Sequence, residues 1–472
     1  MTVLWLLLAA GLALGCLAAI ATGQRFAPGM PRDDMPMLVF ALALSVAGAL
    51  FLLARPLLQC TAGMAAPAGW RCGWIGAFGV GLGLRLLLLA SEPILEVDFN
   101  RYLWDGGTVA RGYNPYAVAP ARIGALPYDD PRLELSKAAG SVFDQISYSE
   151  LKTAYPPVAQ AAFALAHLIE PWSLTAWRMV AIAAEISTFV LLVALLRACG
   201  RNELWSVLYW WNPLVLKETV NSAHSEVVLL PFLLGSLLLA VRGRPIAATG
   251  ALGLAVGVKL WPVLLLPLVL RPLIGHPMRL AGALALVSAM LVTFAAPVWL
   301  GGLDQSSGFV SFASHWTTGS ALFAVLERVA AVAVGVPASE SLMPGRIVRL
   351  VSALAVFSLA VKLAWAPIAG PRELIRRIYI TATVLLLLSP AQFPWYVLWC
   401  LPLAVLQPGI GWHVATATLP LYYTAFHFRQ IGTYAIFETW IVWLIWVPVW
   451  AALAWDWWRA RWTPAGGNGN RP

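Results

Sequence analysis

Long apolar runs recur from one end of this chain to the other and constrain its fold more than any other feature. A bilayer core about 30 Å thick needs roughly 20 apolar residues per helix. Of the 472 residues, 60% are hydrophobic and 11% charged, against about 25% charged in a soluble domain. We therefore exclude a soluble globular or nucleic-acid-binding fold. The runs lie near 2–22, 36–58, 72–90, 174–197, 203–218, 224–241, 278–300, 347–367, 376–389, 395–406, 411–426 and 432–455.

The pattern predicts an all-α, polytopic transmembrane bundle of about 11–13 membrane helices, some short or re-entrant. Short runs flanked by proline, such as 395–406, predict tilted or broken helices around a cavity, because irregular backbone in a membrane needs protein or water around it. Residues 246–270 contain Lys259 and have arginines at both ends, which favours a re-entrant hairpin. The segments 156–170 and 321–337 are predicted to be short interfacial or re-entrant helices.

Basic residues gather in short loops between the apolar runs and raise the net charge to +9. The positive-inside rule assigns such loops to the cytoplasm. Four stretches are predicted to be cytoplasmic: 198–202, 242–244, 372–377 and the tail 459–472. The stretches 221–226, 389–395 and 427–430 are then predicted to be extracytoplasmic. The five cysteines are scattered, and their spacing indicates neither a disulfide framework nor a zinc site.

One loop, 91–155, differs from all others. It holds nine of the 22 acidic residues of the chain, together with aromatic residues and an Asn-Pro turn. Loops on a rigid scaffold often carry function. Because the loop follows a span that begins on the cytoplasmic side, we expect it to be extracytoplasmic and to hold the functional site.

The densest polar constellation begins at the start of this loop. Asp98 is expected at the membrane–water boundary, where burial and the neighbouring Arg101 act on its proton affinity in opposite directions. A carboxylate in that setting suits a general base. In a helix, Asp98, Arg101 and Asp105 would share one face. The alternative is that Asp98 caps an amphipathic interfacial helix anchored by Tyr102 and Trp104.

A series of short motifs resembles the GT-C superfamily of membrane glycosyltransferases. The closest similarity is to bacterial mannosyltransferases that use polyprenyl-phosphate-mannose, and the motifs follow the family order between residues 72 and 405. They are D-x-x-R-Y-x-W-D-G and G-x-N-P-Y within 98–116, Y-P-P-V-A-Q at 155–160, W-N-P-L at 211–214 with Glu218, Lys259 with two prolines, and S-P with P-W-Y within 389–396.

The resemblance implies transfer of a sugar, mannose or another hexose, from a polyprenyl-phosphate donor to an acceptor hydroxyl, with inversion. It implies a GT-C-type fold in a bacterial inner membrane, with the active site outside and a glycan, glycolipid or protein as acceptor. Asp98 matches the essential acid of the family, with Glu96 as the neighbouring alternative. No cofactor is implied with certainty, and a divalent cation is possible. Transfer requires a base, a positive partner for the departing phosphate and exclusion of water.

The resemblance also divides the chain into parts. These are two additional transmembrane helices within 1–71, a catalytic module 72–405 that includes the loop 91–155, further helices within 406–458 and a cytoplasmic tail 459–472. Candidate donor-phosphate ligands are Arg101, Lys259, Arg346 and Arg429. Candidate substrate contacts are Tyr102, Trp104, Asp105, Asn114, Tyr155, Glu218, His224, Glu226, His315, Gln392, Trp395 and Tyr396.

Several of these residues have a structural alternative. Lys259 in an apolar hairpin is costly to bury, so it is either functional or paired with a carboxylate. His224 and Glu226 could bind acceptor hydroxyls, assist proton transfer or hold a cation with Asp98, but i and i+2 positions of a helix diverge. They could equally form a polar cap on helix 224–241. Many relatives carry Gly-His-x-Asp here, and this chain has Ala223 in place of the glycine.

Two other classes of protein share part of this pattern. A transporter or lipid-linked sugar translocator would have many spans, broken helices and a buried lysine, but no internal repeat is visible in the sequence. A membrane scaffold would not need ionisable residues at depth. The aromatic residues near 315 and 395 could also belong to the interfacial aromatic belt.

Overall fold

The computed structural model describes residues 2–26, 30–31, 35–63, 73–336 and 341–462. The predicted tail therefore lies outside the described residues from 463 onward. Within these ranges the regular elements are helices, and the backbone of Thr318 and Ala391 forms an isolated bridge. The predicted all-α, polytopic architecture is confirmed.

Six of the described helices are long and apolar enough to cross a membrane, or seven if one bent pair is a single span. The long helices are Val3–Phe26, Met37–Cys60, Leu174–Ala198, Pro277–Gly301, Met343–Trp365 and Tyr434–Arg461. The bent pair, Pro213–Asn221 and Glu226–Val241, turns by 117° at its break. Shorter apolar helices supply further segments: Gly73–Leu88, Pro157–Ile169, Pro245–Val256 and Trp261–Leu273. Broken and short helices are thus present, as predicted from the proline-flanked runs.

The described residues up to Ile169 form eight α-helices, four before the acid-rich loop and four within and after it. They are α1 (Thr2–Gly23), α2 (Met37–Phe51), α3 (Ala54–Gly63), α4 (Gly73–Leu88), α5 (Phe99–Ala110), α6 (Pro131–Ala139), α7 (Ser141–Asp144) and α8 (Pro157–Ile169). Helix α5 packs closely on α8. A methyl group on Gly106 would lie 2.4 Å from the backbone oxygen of Phe163, so this approach requires glycine.

The central part of the chain surrounds the break in the bent pair. Its helices are α9 (Leu174–Ala198), α10 (Val207–Trp210), α11 (Pro213–Leu216), the π-helix Lys217–Asn221, α12 (Glu226–Val241), α13 (Pro245–Val256) and α14 (Leu266–Leu270). Helix α12 packs against both α9 and α13. Helix α13 ends just before Lys259, and the following segment packs back against it. Lys259 thus lies at the bend of a hairpin rather than within a straight span.

The remaining helices complete the bundle. They are α15 (Pro277–Gly301), α16 (Gly308–His315), α17 (Ala321–Val334), α18 (Met343–Trp365), α19 (Pro371–Leu388), α20 (Leu401–Val405), α21 (Gly411–Thr418), α22 (Thr424–Gln430), α23 (Tyr434–Ile436) and α24 (Val442–Trp462). Helix α2 packs on α21, which also contacts α24. The N-terminal helices therefore dock on the C-terminal part of the chain.

A buried ion pair joins α4 to α9. Nη2 of Arg85 donates to Oε2 of Glu185 at 2.6 Å, and both side chains have no exposed surface. The hydroxyl of Tyr209 donates to the other carboxylate oxygen. Nη1 of Arg85 donates to the backbone oxygens of Gly81 and Trp210. We call Arg85, Glu185 and Tyr209 the balanced cluster, because one positive charge meets one negative charge.

Candidate active site

The segment that leads to Asp98 is held in place by side chains from two other elements. The amide of Asn221 donates to Oγ of Ser91 and to the backbone oxygen of Glu92, and its oxygen accepts from the backbone N–H of Ile94. Arg178 of α9 donates to the backbone oxygens of Ser91 and Asn221. These bonds fix the segment before Glu96 against the break of the bent pair.

Glu96 and His224 meet across this junction. Oε1 of Glu96 accepts from the backbone N–H groups of Val97 and Asp98. Its other oxygen, Oε2, lies 3.2 Å from Nε2 of His224. The same ring nitrogen lies 3.4 Å from Oε2 of Glu218. His224 is therefore placed between two carboxylates.

The backbone is strained on both sides of this contact. Leu95 and Ala223 have φ angles of +55° and +56°, a left-handed conformation that costs a residue with a side chain about 1–2 kcal/mol. Each directly precedes a residue of the contact, Glu96 or His224. Ala223 occupies the position where relatives were expected to carry glycine, and its backbone oxygen accepts from Nε1 of Trp177 at 2.7 Å. The turn thus forms without glycine, at a cost that the surrounding contacts offset.

A π-helix precedes the turn and adds two charged residues to the site. The π-helix spans Lys217–Asn221, and such helices are frequent at functional sites. Glu218 accepts from the hydroxyl of Tyr423 at 2.7 Å, and Nζ of Lys217 donates to the same hydroxyl. Lys217 and Glu218 are also close to each other, with Nζ 3.6 Å from Oε2.

Lys259 faces the same region from the bend of its hairpin. Its Nζ lies 2.7 Å from Oε1 of Glu226 and is 5.6 Å and 5.2 Å from the ring centres of Tyr155 and Tyr396. The lysine is 21% exposed and Glu226 only 2%. Lys259 is therefore paired with a carboxylate, yet its ammonium group is not fully enclosed.

Aromatic rings line the other side of His224. The imidazole stacks on Trp395 with ring centres 3.7 Å apart, and Trp395 stacks in turn on Phe393 at 4.4 Å. Tyr396 stacks on Trp399 at 4.3 Å. These rings fix the plane of the imidazole and give the site an apolar wall.

Asp98 has an unusual electrostatic environment. Burial, followed by the negative charge of Glu96, raises the pKa of Asp98 to about 7, although His224 and Lys259 act in the opposite direction. Burial also opposes ionisation of Glu96, but the nearby His224 outweighs it and lowers the pKa of Glu96. Glu96 is thus the charged neighbour, and Asp98 is a carboxylate able to take up a proton near neutral pH.

We call these interacting residues the Asp98 cluster. It comprises Glu96, Asp98, Lys217, Glu218, His224, Glu226 and Lys259. Four carboxylates face two ammonium groups, which leaves two surplus negative charges in the state that a metal ion requires, with the carboxylates ionised and the imidazole neutral. Oxygen atoms of Glu96 and Asp98 and a ring nitrogen of His224 all lie within 4.8 Å of one another, a spacing suited to a metal ion.

The polar face predicted for α5, which carries Arg101 and Asp105, serves mainly to hold the loop together. Nε of Arg101 donates to Oδ1 of Asp105 at 3.0 Å, and Nη2 donates to the backbone oxygen of Leu151. The amide of Gln160 donates to the other oxygen of Asp105. Tyr102 is buried against Phe163. The Arg101 guanidinium is thus engaged within the protein, which favours a structural role over donor binding.

Other predicted residues lie in separate contacts. Trp104 packs with Phe143 and Trp172 in a small apolar cluster that is centred on the loop 91–155. The amide of Asn114 donates to the backbone oxygen of Pro297, and its oxygen accepts from a neighbouring backbone N–H group. The amide of Gln392 donates to backbone oxygens at the end of α19.

Three predicted basic residues are on the surface. His315, Arg346 and Arg429 are exposed, and the guanidinium of Arg429 lies 4.7 Å from the ring centre of Tyr434. No contact between these three side chains and the Asp98 cluster is found in the described part of the chain. A phosphate role for Arg346 and Arg429 has no geometric support.

Sequence reasoning missed four residues that shape the site: Arg178, Lys217, Asn221 and Tyr423. Arg178 and Lys217 were detectable, since a charged residue within an apolar run demands a partner. Asn221 and Tyr423 have no such signal. Their roles depend on a π-helix and on packing between segments about 200 residues apart.

Comparisons with known proteins match a part of the chain that includes the Asp98 cluster. A family model described as alpha-(1->6)-mannopyranosyltransferase, N-terminal domain, matches residues 4–274. The chain is 24% identical over 340 residues to alpha-(1->6)-mannopyranosyltransferase A of Mycobacterium tuberculosis, covering 68% of this chain and 63% of the relative. It is 23% identical over 357 residues to alpha-(1->6)-mannopyranosyltransferase B of Corynebacterium glutamicum, covering 67% and 56%. Each match thus spans less than two thirds of the relative. No solved structure matches the chain.

Proposed function

The chain belongs to the alpha-(1->6)-mannopyranosyltransferase family, whose N-terminal domain matches residues 4–274, and on this basis we propose that it is a membrane mannosyltransferase. The proposed reaction moves one mannose from a polyprenyl-phosphate donor to the hydroxyl of a glycan or glycolipid acceptor. We place the reaction on the extracytoplasmic face of the plasma membrane. The names of the relatives support mannose as the sugar.

The observation that carries the proposal is the Asp98 cluster. All seven of its residues lie within the range matched by the family, and they combine carboxylates, an imidazole and a partly exposed lysine. Buried surplus charge is costly, so its retention in an apolar bundle supports a role in binding or chemistry.

Asp98 is the proposed general base. The acceptor oxygen attacks the anomeric carbon from the side opposite the phosphate, forming a new carbon–oxygen bond while the bond to the phosphate oxygen breaks. The acceptor proton passes to the carboxylate of Asp98, and the electron pair leaves with the polyprenyl phosphate. A single displacement of this kind inverts the configuration at the anomeric carbon.

Lys259 is the proposed partner of the donor phosphate. Its side chain is the more exposed of the two lysines in the cluster, and its Nζ lies 5.6 Å and 5.2 Å from the ring centres of Tyr155 and Tyr396. Stabilising charge that develops on a leaving group is a large contribution to catalysis in a site that excludes water. Glu226 positions the lysine rather than contacting the donor.

The distribution of charge supports the proposed side of the membrane. Glu96, Asp98 and His224 come together at one junction. Arg201 and Arg372 belong to two loops that are predicted to be cytoplasmic, and they donate to the backbone oxygens of Val405 and Cys199. The positive-inside rule assigns the arginine-rich loops to the cytoplasm. The Asp98 junction is then extracytoplasmic.

The test uses the purified full chain in liposomes with radiolabelled polyprenyl-phosphate-mannose and glycolipid extracted from a deletion strain as acceptor. We expect label to enter the glycolipid, and mass spectrometry of the deletion strain to show an acceptor lacking one hexose. A nucleotide-sugar donor is the control. Transfer from the nucleotide sugar alone, or movement of intact donor across the bilayer without cleavage, would overturn the proposal.

A further inference from the structure

Glu96, Asp98 and His224 bring potential metal ligands within 4.8 Å of one another. We propose that these three residues bind one divalent transition-metal ion, of the kind represented by Mn²⁺ or Zn²⁺. The role of the ion in catalysis rests on the proposed function. Its binding does not, because it depends only on the ligands that the fold brings together.

The spacing of the donor atoms suits a metal ion. Ligand atoms about 2.0–2.2 Å from a shared ion are separated from each other by roughly 3.0–3.5 Å. Nε2 of His224 lies 3.2 Å from Oε2 of Glu96 and 3.4 Å from Oε2 of Glu218. An oxygen of Asp98 lies within 4.8 Å of both the Glu96 and His224 ligand atoms. The site therefore needs only a small closing movement of one carboxylate.

His224 is a fully buried imidazole whose ring nitrogens make no well-aligned hydrogen bond. Its side chain has no exposed surface, and neither ring nitrogen meets hydrogen-bond geometry with a described residue, although Nε2 lies within 3.4 Å of oxygens of Glu96 and Glu218. Stacking on Trp395 holds the ring so that Nε2 faces the carboxylates. Oε2 of Glu218 also lacks a hydrogen bond within the described part of the chain. Buried polar atoms are nearly always satisfied, so these atoms indicate a ligand.

The charge of the cluster favours a cation. Two surplus negative charges would repel a phosphate-bearing donor, whereas one divalent ion would cancel them and allow the donor to approach. The two strained positions, Leu95 and Ala223, hold Glu96 and His224 in place before any ion arrives. The fold thus keeps two of the ligands together in spite of a backbone cost.

The types of ligand select the ion. Imidazole suits zinc and other transition metals, whereas an all-oxygen site suits magnesium or calcium. One nitrogen with two or three carboxylate oxygens is a mixed set, which favours Mn²⁺ or Zn²⁺ over Mg²⁺. A carboxylate has two oxygens, so Asp98 can contact the ion with one and accept the acceptor proton with the other.

The binding test uses the full chain in nanodiscs after removal of metals with EDTA. We expect Mn²⁺ titration, followed by electron paramagnetic resonance, to show one bound ion per chain that Zn²⁺ displaces and Mg²⁺ does not. The His224→Gln and Glu96→Gln variants should each bind Mn²⁺ roughly tenfold more weakly or worse, since each loses a direct ligand. The bound ion should show coupling to an imidazole nitrogen that disappears in His224→Gln.

The control is Glu203→Gln, which removes an exposed carboxylate paired with Arg197 and should leave Mn²⁺ binding unchanged. Absence of a stoichiometric bound ion in the wild-type chain, or wild-type Mn²⁺ affinity in both ligand variants, would overturn the inference. The wild-type titration decides the question even if a variant fails to fold.

Failure of the metal inference is distinguishable from failure of the proposed function. Mannose transfer by metal-free protein that binds no Mn²⁺ would refute the metal site and leave the transferase intact. Stoichiometric Mn²⁺ binding without transfer from polyprenyl-phosphate-mannose would refute the function and leave the metal site intact.

Discussion

Two buried clusters of charged residues lie in the same helical bundle and differ in how their charges are matched. In the balanced cluster, Arg85 meets Glu185, and both oxygens of the carboxylate accept hydrogen bonds. In the Asp98 cluster, carboxylates outnumber ammonium groups, and both nitrogens of His224 lack a hydrogen-bond partner among the described residues. Both clusters are deeply buried, so burial alone does not separate them.

The difference separates a structural role from a chemical one. A matched, hydrogen-bonded pair such as Arg85 and Glu185 joins two helices and leaves little for a ligand to bind. Surplus charge, in contrast, persists only when something else compensates for it. The comparison predicts that substitutions in the balanced cluster change stability, and that substitutions in the Asp98 cluster change chemistry.

The largest expected effect on stability comes from Arg85→Leu. It leaves Glu185 buried and unpaired, which costs about 3–5 kcal/mol of unfolding free energy. Thermal unfolding of the detergent-solubilised chain, followed by size-exclusion chromatography, should show a strongly lowered midpoint. The double variant Arg85→Leu/Glu185→Leu should recover much of the loss. A stable Arg85→Leu protein would show that the balanced cluster is not structural.

Lys259→Met, combined with Glu226→Gln so that no buried carboxylate is left unpaired, should act mainly on chemistry. Removing the cation proposed to face the departing phosphate is expected to slow transfer by roughly 10²–10³-fold. Single-turnover rates with labelled donor measure this effect. The matched control is Lys137→Met, which breaks an exposed Lys–Glu pair in the external loop and should leave the rate unchanged. Equal rates for the two variants would remove Lys259 from the phosphate site.

The smallest effect is expected at the strained turn. Ala223→Gly removes the left-handed penalty at φ +56° and should raise the unfolding free energy by roughly 0.5–1 kcal/mol. The control, Ala183→Gly, places glycine at an exposed position in the interior of α9 and should lower stability by about 1 kcal/mol. Calorimetry of both variants tests whether each substitution raises or lowers the unfolding free energy. A loss of stability in Ala223→Gly would show that the turn is not strained.

The sequence predicted much of the fold because apolar periodicity and proline placement are local signals. The helical membrane architecture, the short helix after Tyr155 and the hairpin at Lys259 all follow from them. The same signals do not show which runs are straight spans, because several apolar runs are divided into short helices. Hydropathy cannot distinguish a straight crossing from a bent pair.

The site was predictable only in part. Glu96, Asp98, His224 and Lys259 were each identified from sequence, but the spacing of His224 and Glu226 indicated nothing about their separate partners. In the structure His224 faces Glu96, and Glu226 faces Lys259. This division arises from the π-helix and the left-handed turn, which change the direction of the chain within a few residues.

The most direct test of the central claim is single-turnover mannose transfer by Asp98→Asn, measured together with donor binding and thermal stability. The substitution removes one surplus charge, so we expect the protein to fold at least as well as the wild type and to bind donor with a similar Kd. Loss of the general base should slow transfer by about 10²–10⁴-fold. A folded Asp98→Asn protein that transfers mannose at the wild-type rate would contradict the account.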